Sequence, residues 1–218
     1  MGRRYPGWFI TFEGMDGSGK TTQMRKLAKR LEAQRRRFLV TVEPGGTRIG
    51  AQIRRILLDS ANQELCPTAE MLLYFASRAQ NVEELIRPAL ARGEIVLCDR
   101  FTDSTLVYQG AARGLGEADV VELDRIACRG LKPDLTLLID IDLDTGLART
   151  QARWLNEDES RMDQQAREFH LRVRDAYLRL AEREPERIRV IDGRPEAEQV
   201  ERAVWEAVTA VIGAGDAP

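Results

Sequence analysis

The chain reads as a three-layer α/β fold, a five-stranded parallel sheet with helices on both faces, and three observations carry that reading. Strand-like and helix-like stretches alternate from end to end, the pattern of repeated strand–helix units. The runs at 95–98 and 135–139 are continuously apolar, as strands buried on both sides must be. A glycine-rich octet, Gly14-Met15-Asp16-Gly17-Ser18-Gly19-Lys20-Thr21, separates the first strand from the first helix.

The elements follow in order. Trp8-Phe9-Ile10-Thr11-Phe12 is an apolar run and makes the first strand, Trp8–Glu13. A basic helix follows over 20–36. The second strand is Phe38–Val42, closed by Pro44-Gly45-Gly46. Residues 49–59 place Ile53, Ile56 and Leu57 at helical spacing. The stretch 68–92 is a long helical region, with Thr68 as cap and Met71 and Leu72 on its apolar face. A short buried strand at 95–98 ends in Asp99-Arg100, and 117–129 is amphipathic. Pro133-Asp134 introduces another apolar strand at 135–141. Helices at 145–153 and 164–184, a last strand at 188–191 and the helix Ala197–Ile212 complete the chain.

At 218 residues the length suits one domain, 1–218, with a well-buried core and a small mobile appendage. With 43% hydrophobic and 31% charged residues it has the composition of a soluble globular protein. A net charge of -2 argues against a dominant basic surface for nucleic acid. No apolar run approaches the roughly 18 residues of a membrane span, and the N-terminus lacks the apolar core of a signal peptide. Cys66, Cys98 and Cys128 are odd in number and show no metal spacing, which fits reduced thiols and a cytoplasmic location. His170 lies in a charged helical stretch and reads as a surface residue.

The octet 14–21 has the phosphate-loop pattern G-x-x-x-x-G-K-[ST]. Strand, glycine loop and helix N-terminus together make an anion site of inward-pointing backbone N–H groups. Lys20 would reach the β- and γ-phosphates of a bound nucleotide, and the Thr21 hydroxyl would bind Mg²⁺. Asp99, ending a later apolar strand, stands where a carboxylate holds that Mg²⁺ directly or through water. Arg100 follows at once, and its guanidinium can bridge the phosphates of two substrates. Arg54 is another candidate phosphate clamp.

Tyr74 and Arg78, four residues apart, share a helix face that suits a nucleobase and its phosphate as well as plain core packing. Around the polar run Asn156-Glu157-Asp158-Glu159-Ser160 stand Arg149, Arg153 and Arg161. Polar segments of this kind, here about 149–163, serve as lids or as solvated connectors.

These pieces together resemble the thymidylate kinases, in their bacterial form. The segments that carry the resemblance are Phe12 to Thr22, Glu43-Pro44-Gly45-Gly46-Thr47, Phe75 to Gln80, Arg87-Pro88-Ala89-Leu90 and, most specific, Asp99-Arg100-Phe101-Thr102-Asp103-Ser104-Thr105-Leu106-Val107-Tyr108-Gln109-Gly110. The resemblance implies a nucleoside-monophosphate-kinase-like P-loop fold with a short lid. It implies ATP and dTMP as substrates, Mg²⁺ as cofactor, and a homodimer formed through helices between Thr68 and Arg129.

By position, Gly14, Met15, Asp16, Gly17, Ser18, Gly19, Lys20 and Thr21 would bind ATP, with Thr21 and Asp99 toward the metal. Asp16 matches the acid on the sugar 3′-hydroxyl, and Tyr74 falls where the family stacks an aromatic on thymine. Arg78 matches the arginine near the base O4, Thr105 and Gln109 the base-edge contacts, and Tyr108 a residue packing under the sugar. Arg54 and Arg100 match the arginines on the acceptor phosphate, and Glu43 lines the acceptor site. One branch of the family carries an arginine at the position of Gly17, and the other supplies arginines from the lid. This chain resembles the second, which implies catalytic roles for Arg153 first and Arg149 next, beside Lys20, Asp99 and Arg100. Arg48 and the lid's end, Ser160-Arg161-Met162-Asp163, depart from the family's usual residues.

The implied reaction is ATP + dTMP → ADP + dTDP. A kinase for another nucleotide, or for a nucleoside with Asp99 or Glu43 as base, is the nearest rival. A nucleotide-binding switch that passes ATP binding to a partner is a rival of another class.

Overall fold

The computed structural model describes residues 4–154 and 167–213, residues 151–154 by backbone alone. Strands β1 (Trp8–Glu13), β2 (Phe38–Val42), β3 (Ile95–Asp99), β4 (Leu135–Asp140) and β5 (Ile188–Asp192) form one sheet in the order β2-β3-β1-β4-β5. Every neighbouring pair is parallel. The register sets Phe12 beside both Asp99 and Leu137, so the carboxyl ends of the strands emerge along one edge. β3 and β2 lie on one side of β1, β4 and β5 on the other. Open α/β sheets bind ligands beyond the carboxyl strand ends at such a reversal.

The helices are α1 (Lys20–Ala33), α2 (Arg48–Leu58), α3 (Pro67–Asn81), α4 (Arg87–Ala91), α5 (Thr102–Thr105), α6 (Glu117–Cys128), α7 (Leu143–Trp154), α8 (Arg167–Arg183) and α9 (Ala197–Ile212). α1 and α9 cover one face, where Leu27, Leu31, Val204 and Val208 pack with Ile10, Phe12, Leu97 and Leu137. On the other face α3 and α6 pack over Phe9, Val96 and Cys98, and α8 packs over Leu138. The period-2 alternation of β1 sends Ile10 and Phe12 to the first layer and Phe9, Thr11 and Glu13 to the second. A carboxylate therefore enters the buried layer beneath α8.

The strands fall within a residue of the sequence expectation, while several helix ends differ. α1 stops at Ala33, and Arg35 turns into the left-handed region at φ 56°. α3 starts at Pro67 rather than at a Thr68 cap, because proline has no N–H to satisfy at a helix's first position. Leu72 is 50% exposed instead of facing the core. The path from α3 to α4 runs through a wider π-type turn, Val82–Ile86. Pro88 explains it, since its ring would clash with the carbonyl four residues back in a regular helix.

Residues 102–112, which show no helical periodicity, are helical in α5 and a second π-type turn, Leu106–Ala112. Val107, Tyr108, Gln109, Gly110 and Ala112 are all buried there, so no polar stripe marks the turn. His170 is the other correction. It is buried at 6% exposure, because it sits on the α8 stripe of Phe169, Val173, Ala176, Tyr177 and Leu180. It lines a small cavity with Met15, Leu143 and Gly146, and its ring meets that of Phe169 edge-on.

Candidate active site

The octet after β1 is a turn that only glycines can make. Gly14, Gly17 and Gly19 have φ of 135°, 77° and 93°. A Cβ on Gly14 would lie 2.4 Å from the Ile139 carbonyl oxygen, and one on Gly17 2.3 Å from that of Gly146. The loop is thus wedged between β4 and α7. Any side chain at 17 would require α7 to move.

Lys20 is buried, and its Nζ donates to the Met15 carbonyl at 2.8 Å. Burial, with Arg100 nearby, lowers its pKa to about 8. An anion in the loop would supply the counter-charge that burial removes. The Thr21 hydroxyl donates to Asp99 Oδ2 at 2.7 Å. A hydroxyl beside a carboxylate is a hard oxygen pair, which fits Mg²⁺ completed by phosphate oxygens and water. Among the described residues no cluster of three His, Cys, Asp or Glu side chains offers an all-protein metal cage.

A cleft of ≈ 820 Å³ runs from this loop to the ends of β2 and β3. Asp16, Glu43, Arg54, Asp99, Arg100 and Arg149 line it together, so the sequence-read charges converge. The backbone of Arg100 is left-handed at φ 68°. Its Nη2 donates to Asp16 Oδ1 at 2.7 Å, and its Nη1 meets Gly14 O, Ser104 Oγ and Tyr177 OH at 3.2, 3.2 and 3.4 Å. The guanidinium lies 5.1 Å from the centre of the buried Tyr108 ring. Arg54 reaches in from α2 and donates to the Pro44 carbonyl at 2.8 Å. Tyr74, half-buried on α3, interacts with it.

Beneath this cleft lies a buried layer of polar side chains. Arg78 is 1% exposed. Its Nε donates to Glu43 Oε2 at 2.6 Å, and its Nη2 donates to Phe101 O at 3.1 Å and to Thr105 Oγ1 at 2.9 Å. Its Nη1 is buried and makes no hydrogen bond among the described residues. The other Glu43 oxygen accepts from Asn81 at 3.0 Å. Burial raises the Glu43 carboxyl above its usual range, while Arg78 opposes that rise. Glu43 thus has both oxygens committed, one to Arg78 and the other to Asn81. Gln109 is 2% exposed, and its Nε2 donates to Glu70 Oε1 at 2.8 Å, where the Arg113 fork also binds.

Arg149 on α7 donates to the Gly193 carbonyl at 3.1 Å and borders the cleft. The side chain of Arg153 and residues 155–163 of the expected lid, Arg161 included, lie outside the described residues.

Sequence reading missed Glu70, Asn81 and Tyr177, which touch Gln109, Glu43 and Arg100, and Glu13 and Arg113, which hold Tyr177 and Glu70 one contact further away. The available signal was a carboxylate closing an otherwise buried strand: Glu13 is 0% exposed. It also missed the loop after β5, where Gly193 and Arg194 border the cleft.

The thymidylate kinase family model matches residues 12–204. A thymidylate kinase of Geotalea uraniireducens is 48% identical over 212 residues, covering 96% of this chain and 100% of the relative. One from Thermomicrobium roseum is 51% identical over 208 residues, 95% of this chain and 97% of the relative. A crystal structure of thymidylate kinase from Ehrlichia chaffeensis superposes with a TM-score of 0.74 at 33% identity, covering 93% of this chain and 98% of that one. With its sheet order, its phosphate loop and the arginines that converge on the cleft, the chain belongs to the thymidylate kinase family.

Proposed function

We propose that this chain transfers the γ-phosphoryl group of ATP to dTMP, giving ADP and dTDP on the way to dTTP. The observation that carries the reading is Arg78. A fully buried guanidinium with three ties and one buried, unbonded Nη1 is a donor held ready for a ligand oxygen. The thymine O4 is such an oxygen, whereas the cytosine amino group at the same place is a donor and clashes with it.

The acceptor phosphate is already nucleophilic, so catalysis is positioning and charge neutralisation. Lys20 and the loop amides hold the ATP phosphates. Arg54 and Arg100 hold the dTMP phosphate, Asp16 takes the 3′-hydroxyl, Tyr74 stacks on thymine, and Tyr108 supports the sugar. Thr105 and Gln109 read the base edge. Arg149, and Arg153 by its position on α7, neutralise charge on the transferring group. Thr21 and Asp99 would hold Mg²⁺, whose charge would offset that of the phosphates. A hydroxyl acceptor would need a free carboxylate base. Glu43 is engaged at both oxygens and Asp99 accepts from Thr21, which favours a phosphate acceptor.

The same reading makes the chain a single kinase domain and a cytoplasmic homodimer. Leu72 on α3, with Val121 and Ile126 on α6, is exposed, and these two helices pack together, which supports self-association there. Among the described residues no helix is long and apolar enough to cross a membrane.

The test is ADP release from Mg-ATP with dTMP, dUMP, dCMP, dGMP, UMP or thymidine, each against a no-acceptor control. Strong turnover with dTMP, weaker with dUMP and near background elsewhere is the expected result. Turnover of thymidine alone would move the chemistry to a hydroxyl acceptor. Binding without turnover on any acceptor would make the chain a switch.

A further inference from the structure

One fully buried carboxylate lies directly under the acceptor site without lining it. Glu13 ends β1, just before the phosphate loop. Its Oε1 accepts the Phe101 N–H at 2.7 Å. Its Oε2 accepts from Ser104 Oγ at 2.6 Å and from Tyr177 OH at 2.8 Å. Those two hydroxyls lie 2.8 Å apart, and both face Arg100 Nη1.

A hydroxyl carries one proton and two lone pairs. With both protons committed to Oε2, both oxygens turn lone pairs toward the guanidinium. Without the carboxylate, one hydroxyl proton is free to point at Nη1, donor against donor. Oε1 acts on the same residue from the backbone side. The Phe101 N–H that it holds follows Arg100, whose left-handed φ of 68° is costly for a residue with a Cβ. One carboxylate therefore fixes both the strained turn and the polarity of the shelf under the guanidinium.

We infer that Glu13 is a positioning residue for phosphoryl transfer, holding Arg100 against the acceptor phosphate through the Phe101 N–H and the Ser104–Tyr177 hydroxyl pair. This rests on the reading of Arg100 as an acceptor-phosphate clamp. Glutamine at 13 keeps the shape and the Phe101 contact. Its second oxygen, however, becomes an N–H₂ donor, which reverses the polarity of the shelf. Burial, with Asp103 nearby, raises the Glu13 carboxyl to about 7, so the test is run at pH 8, where it is ionised.

The experiment is a double-mutant cycle in the full chain, reading dTMP affinity by calorimetry together with the KM of each substrate. Glu13→Gln should weaken dTMP binding at least about tenfold, the scale of one charge-assisted hydrogen bond, and leave the KM of Mg-ATP within about twofold. In an Arg100→Ala background the same change should alter dTMP affinity by less than about twofold. Multiplying effects, or an unchanged dTMP affinity in Glu13→Gln, would overturn the inference. Should Glu13→Gln not fold, Tyr177→Phe carries the same cycle, with a several-fold loss expected that vanishes without Arg100; no loss, or a loss that persists, overturns it. If Arg100→Ala alone leaves dTMP binding unchanged, the acceptor-site reading falls and the inference with it. A loss in Arg100→Ala but none in Glu13→Gln removes the inference alone.

Discussion

In the proposed reading, the donor side of the cleft binds through a glycine turn, one lysine and one hydroxyl, all within eight consecutive residues. The acceptor side would use long side chains from α2, α3, the residue after β3 and the 102–112 helix, held from beneath by buried carboxylates. The two sides solve different problems. A triphosphate tail is much the same in every nucleotide, so backbone N–H groups suffice. A base must be told from its relatives, which needs donors and acceptors fixed in place before it arrives. Buried partners such as Glu43 and Glu70 supply that fixing, and their own desolvation is the cost.

Five substitutions probe this contrast, taken from the largest expected effect to the smallest. Where the two sides meet, Lys20→Ala or Arg100→Ala should lower kcat at least about a hundredfold, as loss of one preorganised donor does. Steady-state rates within a few-fold of the parent would remove that residue from the mechanism. On the acceptor side, Arg78→Lys keeps the charge but loses the fork. We expect the KM of dTMP to rise at least about tenfold, the scale of a charged hydrogen bond, with the KM of Mg-ATP nearly unchanged.

Gly17→Ala probes the donor side. Its methyl would meet the Gly146 carbonyl at 2.3 Å and impose positive φ on alanine. Weaker Mg-ATP binding and a melting temperature lower by several degrees should follow, matching a loss of about 1–3 kcal/mol. An unshifted Mg-ATP titration would show that α7 yields freely. Glu70→Gln, two contacts removed from the ligand, should raise the KM of dTMP only a few-fold through Gln109. A change in Mg-ATP kinetics there would mean that the two sides are not independent.

The same contrast explains what could be read from the sequence. The donor side is local in the chain, so Lys20 and Thr21 announce themselves by spacing, and Asp99-Arg100 by its place at a strand end. The strands were legible because buried parallel strands must be apolar. The scaffold under the acceptor site is not local. Glu13 meets Ser104 and Tyr177 across 91 and 164 residues, and no spacing rule spans such distances. Arg78 and Tyr74 were legible as one helix face, but only the resemblance gave them a base to bind. The 102–112 helix was hidden because burial on nearly every side erases the periodic stripe. His170 misled for the opposite reason, a polar residue in a charged helix that packing nonetheless buries.

The central claim is that a buried donor at Arg78 selects the base. The most direct measurement is the ratio of kcat/KM for dTMP over dCMP, in the parent chain and in Arg78→Lys. The account predicts a ratio of at least about a hundred in the parent and a fall of about tenfold or more in the variant. A ratio near one in the parent, or one that the substitution leaves unchanged, would contradict it.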